Sequence, residues 1–100
     1  MKLEKHGSIL SLLEQLPLEG RGWIVEDHWE GDLCAVGIVN PRLPGRLVYV
    51  STYGKQTGRY YYECEVPHPE YPDDSQEAVE MGEDVGFSDL LKVMRHHLDP

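Results

Sequence analysis

The sequence predicts an α+β domain: an N-terminal helix, a four- or five-stranded antiparallel meander sheet, and a C-terminal helix, with both helices packed on one face of the sheet. Three observations predict it. Apolar residues recur at helical spacing only near the two ends of the chain. The middle holds four runs of alternating, β-branched and aromatic residues. The connections between those runs are too short for a parallel crossover. One hundred residues suit a single domain, spanning 1–100, with one modest core.

The first helix starts at Ser8, a capping residue, and shows Ile9, Leu12, Leu13 and Leu16 on one stripe. Pro17 ends it. The basic-then-leucine N-terminus superficially resembles a signal peptide, but Glu4, Glu14 and Gln15 interrupt it and no small-residue cleavage site follows. Strand candidates follow at 22–29, 32–39, 46–53 and 59–66. The first two meet across Glu30-Gly31, an X-Gly hairpin signal. Residues 67–84 form an acidic loop stiffened by Pro67, Pro69 and Pro72, within which 77–81 is a candidate short fifth strand. The last helix carries Phe87, Leu90, Leu91, Met94 and Leu98 on one stripe, after Gly86 or Ser88 as cap. Asp89 suits its positive end, and Arg95, His96 and His97 its negative end.

The strand registers cross-check one another. A two-residue turn at Glu30-Gly31 sets Val25 opposite Val36 and Trp23 opposite Ile38. The turn at 54–58 sets Val50 opposite Tyr62 and Val48 opposite Cys64, and matching parity sets Val36 beside Val50. The core face then collects Trp23, Val25, Trp29, Cys34, Val36, Ile38, Val48, Val50, Tyr60, Tyr62, Cys64 and Val66. The other face collects Leu33, Leu47, Tyr49, Tyr53 and Tyr61 among Glu26, Glu63 and Glu65. A slip of one residue in any strand would destroy the sorting. Asp27 falls on the core face and predicts a bulge or strand end.

Charge is segregated along the chain. Residues 1–59 hold seven acids and seven Lys or Arg, whereas 60–91 hold ten acids and no Lys or Arg, which accounts for the net charge of −9. Such a chain repels phosphate backbones, which argues against nucleic-acid binding. No apolar run approaches the ~18 residues of a membrane helix, so no membrane partner is expected. The expected compartment is the cytoplasm, where Cys34 and Cys64 remain free thiols, too far apart in the sheet to bridge.

Motif chemistry is sparse. His6, His28, His68, His96 and His97 have no metal-ligand spacing. The carboxylates of "PDDSQE" lack the alternating positions and central glycine of a calcium loop. GxSxG, HExxH and CxxC are absent. No cofactor or metal is therefore expected, and an enzyme is the less favoured class. The leading expectation is a non-enzymatic small acidic protein-binding module, of the adaptor, inhibitor or immunity type, with a basic protein partner. Its binding residues are expected on the tyrosine face and the acidic segment: Tyr49, Tyr53, Tyr61, Glu63, Asp73, Asp74 and Glu77. The alternative is a small ligand-binding or hydrolytic domain with a pocket near Asp27, His28 and Trp29. Self-association is a third expectation.

Overall fold

A computed structural model describes residues 4–26, 31–73 and 75–100. The elements run α1 (Gly7–Gln15), α2 (Leu18–Arg21), β1 (Ile24–Glu26), β2 (Ala35–Val39), β3 (Leu47–Ser51), β4 (Arg59–Pro67), β5 (Gln76–Gly86) and α3 (Phe87–Leu98). The strands form one five-stranded antiparallel sheet in the order β1-β2-β3-β4-β5. The N- and C-terminal helices pack on one face of this meander, as the two apolar stripes require.

Two of the expected registers are present: Val36 faces Val50 on β2–β3, and Val48 and Val50 face Cys64 and Tyr62 on β3–β4. The β1–β2 pairing differs. Val25 faces Ile38 and Glu26 faces Gly37, two residues from the expected register. The connection is longer than a two-residue Glu30-Gly31 turn, because Gly31–Cys34 precede β2 outside any strand. A shift of two residues preserves parity, so Ile24, Val25 and Glu26 stay on their expected faces. Asp27, Trp29 and the bulge expected there lie outside the described residues.

The core joins Ile9, Leu12 and Leu16 of the first helical segment to Trp23, Val36, Ile38, Val48, Val50, Tyr60, Tyr62 and Cys64 on the sheet. Leu90, Met94 and Leu98 of α3 close it. Cys34 departs from expectation. It precedes β2, is only half-buried, and lies outside this cluster. Both cysteines are free. Burial pushes the Cys64 thiol up to about 12, with the Glu80 carboxylate adding to the shift, so it behaves as a small apolar residue.

The capping of α1 also differs. His6, not Ser8, is the cap, and its Nδ1 accepts the Ser8 backbone N–H at 3.1 Å. The Ser8 hydroxyl instead meets the Thr52 hydroxyl at 2.7 Å, tying the helix to the end of β3.

The acidic segment is more ordered than a loop over 67–84. Pro67 is the last residue of β4, paired with Gln76, and β5 runs for 11 residues. Two bulges explain why β5 lacks a strand's alternation. Val79 is extra between the Cys64–Glu80 and Glu65–Ala78 pairs, and Glu83 and Asp84 stand opposite Tyr61 alone. Gly82 sits under the Tyr62 ring, where any Cβ would collide, so the ring can cross β5 and donate its hydroxyl to Glu80 Oε2 at 2.7 Å.

Beyond the end of α3, Asp99 gathers the turns at one end of the molecule. Its Oδ2 accepts from Arg21 Nη1 at 3.0 Å and from Trp23 Nε1 at 3.1 Å. Its Oδ1 accepts from Asn40 Nδ2 at 3.0 Å, and the same amide nitrogen donates to the Leu98 carbonyl at 2.8 Å.

Candidate functional site

The face of the sheet opposite the helices is less open than its composition suggests. Leu47 and Ala35 are buried there, and Tyr49 and Tyr61 are half-buried. The two rings meet edge-on, with centroids 6.1 Å apart. Tyr61 donates its hydroxyl to Glu63 Oε2 at 2.8 Å, and the Tyr49 hydroxyl is held by the Ser51 side chain. Each hydroxyl thus reaches a residue two positions on in its own strand, so each ring leans along the strand. The Glu63 bond is the main reason the Tyr61 hydroxyl is pushed up to about 12, with burial adding to it. Burial dominates the upward shift of Tyr49, and nearby Asp32, Glu63 and Glu65 contribute.

The register sets Tyr49, Glu63 and Met81 side by side on β3, β4 and β5. The tyrosine face therefore continues onto the outer strand. The acids of β5 divide between its faces: Glu77 and Glu80 pair with Val66 and Cys64 on the helix side, and Glu83 and Asp84 stand in the bulge opposite Tyr61. Val79 and Met81 stand between them, each 57% exposed. Arg59 is the nearby cation, held by Asp84 through Nε at 2.9 Å and through Nη2 to the Asp84 carbonyl at 2.7 Å.

The sequence-derived binding residues do not all converge. Tyr49, Tyr61 and Glu63 form one patch. Glu77 lies on β5 opposite Val66, and Asp73 is exposed in the connection before β5. Tyr53 is separate: it follows the end of β3, is 80% exposed, and lines a cleft beside α1. Asp74 lies outside the described residues. So does the alternative pocket at Asp27, His28 and Trp29. Val79 and Met81 were not foreseen as surface residues, because the bulges of β5 break the alternation that would have assigned their faces.

That cleft has a volume of about 810 Å³. It lies between the start of α1, the β3–β4 turn and the start of α3, where Phe87 closes one wall. Within it His6 Nδ1 meets the Ser8 hydroxyl at 2.8 Å, and Ser8 meets Thr52. A serine beside a histidine suggests an activated nucleophile, but the arrangement is that of a helix cap. The Ser8 N–H is committed to His6 Nδ1, and the Ile9 and Leu10 N–H groups to the His6 carbonyl. Those backbone donors are not available to a developing oxyanion.

His97 is buried at the other end of α3, with Nε2–H donating to the Glu65 carbonyl at 2.9 Å. Burial lowers its pKa, Arg46 adds to the effect, and the Glu65 bond opposes it.

Among the described residues, no group of three or more His, Cys, Asp and Glu could hold a metal ion. None of their helices is long and apolar enough to cross a membrane. No protein-family model, curated protein or solved structure matches the chain.

Proposed function

We propose that the chain is a non-enzymatic protein-binding module that receives a basic protein surface on the β4–β5 side of its sheet. One observation carries the reading: Val79 and Met81 are exposed on an outer strand whose acids outnumber its bases, with Glu77 and Glu83 exposed and Asp84 paired to Arg59. Apolar side chains framed by charge of one sign suit an interface in which the apolar contacts supply affinity and the charges supply steering. Tyr49 and Tyr61 extend the same surface with aromatic area already held in place.

The partner docks against side chains and does not add a strand. The two bulges interrupt the outer ladder of β5, a device that opposes strand addition. The carboxylates also oppose docking of a second copy through this side, because like charges would meet.

The test is affinity capture from the native host, comparing the wild type with an Asp73→Asn, Glu77→Gln, Glu83→Gln variant. A basic protein should be retained by the wild type and retained several-fold less by the variant at physiological salt. Equal retention by both would defeat the reading.

A further inference from the structure

We propose that the cleft between α1, the β3–β4 turn and the start of α3 binds a small organic anion, an oxyanion head on an apolar or aromatic body. The volume of about 810 Å³ falls within the range of ~300–1,000 Å³ usual for small-molecule sites. The sign of its lining is the more telling feature. Among the described residues no Asp or Glu lines this cleft, whereas Lys55 and Arg59 do.

One of these cations, Arg59, reaches a helix start. Arg59 is fixed by Asp84 through Nε and Nη2, which leaves Nη1 as the part of the fork that Asp84 does not hold. That nitrogen lies beside Gly86, the N-cap of α3, about 3.4 Å from where a Cβ would stand. Gly86 provides no side-chain cap to this 12-residue helix, whose first turn lends Phe87 to the cleft and carries one acid, Asp89. Asp84 offsets part of the arginine charge and at the same time fixes its position. Lys55, half-buried in the β3–β4 turn, supplies a second cation.

The apolar part of the ligand is provided for separately. Phe87 and Tyr60 form an aromatic wall of the same cleft. Ser8 and Thr52 are already hydrogen-bonded to each other and present hydroxyl groups at its edge. A purely inorganic anion would leave the aromatic wall unused, and a neutral aromatic would leave the cations unused. Carboxylate and phosphate heads share the required chemistry.

The site meets the β4–β5 docking side only at the Arg59–Asp84 pair, and its test is separate. Phenyl phosphate, benzoate and the neutral benzyl alcohol should be titrated into the isotopically labelled full chain and followed by amide chemical shifts. At least one anion should produce saturable shifts in residues 6–8, 52–59 and 86–88, and benzyl alcohol should bind at least about tenfold more weakly. Lys55→Glu should weaken the anion about tenfold and leave the remaining spectrum folded. Arg42→Glu, in the separate cationic cluster of Arg21 and Arg42, should leave binding unchanged. The proposal is overturned if neither anion gives saturable shifts up to roughly 20 mM. It is equally overturned if the shifts map to Arg21 and Arg42, if benzyl alcohol binds as well as the anions, or if Lys55→Glu has no effect.

Discussion

Replacing Asp99 by alanine should cost far more than the loss of a surface carboxylate. The side chain is 20% exposed and accepts from Arg21, Trp23 and Asn40 together. Its truncation strips the Trp23 indole N–H of its partner, and Trp23 is only 2% exposed. An orphaned buried donor costs about 1–3 kcal/mol. The Arg21 pair is partly solvated and adds about 0.2–1 kcal/mol. Arg42, at 3.9 Å and 74% exposed, contributes little. Asn40 retains the Leu98 carbonyl but loses its second acceptor. The sum is roughly 2–4 kcal/mol, a large share of the ~5–15 kcal/mol stability of an ordinary domain. Each kcal/mol corresponds to about 4–8 °C in Tm at this size, so Tm should fall by roughly 8–32 °C.

Asp99→Asn should fall between wild type and alanine. Its single carbonyl oxygen can serve Trp23 and Arg21, but its amide nitrogen then faces the Asn40 donor, a loss of about 1–2 kcal/mol. Urea unfolding followed by circular dichroism measures both variants. A Trp23→Phe, Asp99→Ala double-mutant cycle should show a coupling of about 1 kcal/mol. A loss below about 0.5 kcal/mol for Asp99→Ala, or equal losses for alanine and asparagine, would refute the reasoning.

Three further outcomes follow from the packing and electrostatics. Val50→Asp buries an unpaired charge at a fully buried position and should leave the chain unfolded, whereas Tyr49→Asp, losing the contact with Tyr61 beside Glu63, should cost about 1–2 kcal/mol, and circular dichroism distinguishes them. The His97 pKa is lowered on folding, so the unfolded chain binds the extra proton; stability should be full above the unfolded value of about 6.5 and fall as pH drops below it, by at most about 1.4 kcal/mol per pH unit. Unfolding free energies measured from pH 7.5 down to 5 should show that slope in wild type and lose it in His97→Gln, whose amide can still donate to the Glu65 carbonyl. Gly82→Ala drives a methyl into the Tyr62 ring and should cost roughly 2 kcal/mol or more, while Gly86→Ala meets only the end of the flexible Arg59 side chain and should stay within about 0.5 kcal/mol; thermal melts of the pair test this.

The sorting of Trp23, Val36, Ile38, Val48, Val50, Tyr60, Tyr62 and Cys64 onto one face was legible because alternation is a local property. It survived a two-residue shift in the first hairpin for the same reason. β5 was largely hidden because Val79 and the Glu83–Asp84 pair each interrupt the alternation, and "EAVEM" alone carries little signal. Leu47 shows the limit of the face argument: its side was assigned correctly, but its burial depends on how neighbouring side chains lie. The Asp99 cluster joins residues 21, 23, 40 and 99, and the cleft joins segments near residues 6, 34, 55 and 87. No spacing rule connects positions so far apart in the chain. His6 was missed as a cap because capping preferences favour Ser8, whose hydroxyl is drawn away to Thr52.

The most direct test of the proposed docking side is the association rate of the captured partner as a function of salt. At physiological ionic strength the Debye length is about 8 Å, so surface charge acts mainly on the final approach. The Asp73→Asn, Glu77→Gln, Glu83→Gln variant should associate several-fold more slowly and with a flatter salt dependence, at a nearly unchanged dissociation rate. Tyr49→Ala with Tyr61→Ala should do the reverse, raising the dissociation rate and sparing association. Rates that respond to neither set of substitutions would contradict docking on the β4–β5 side.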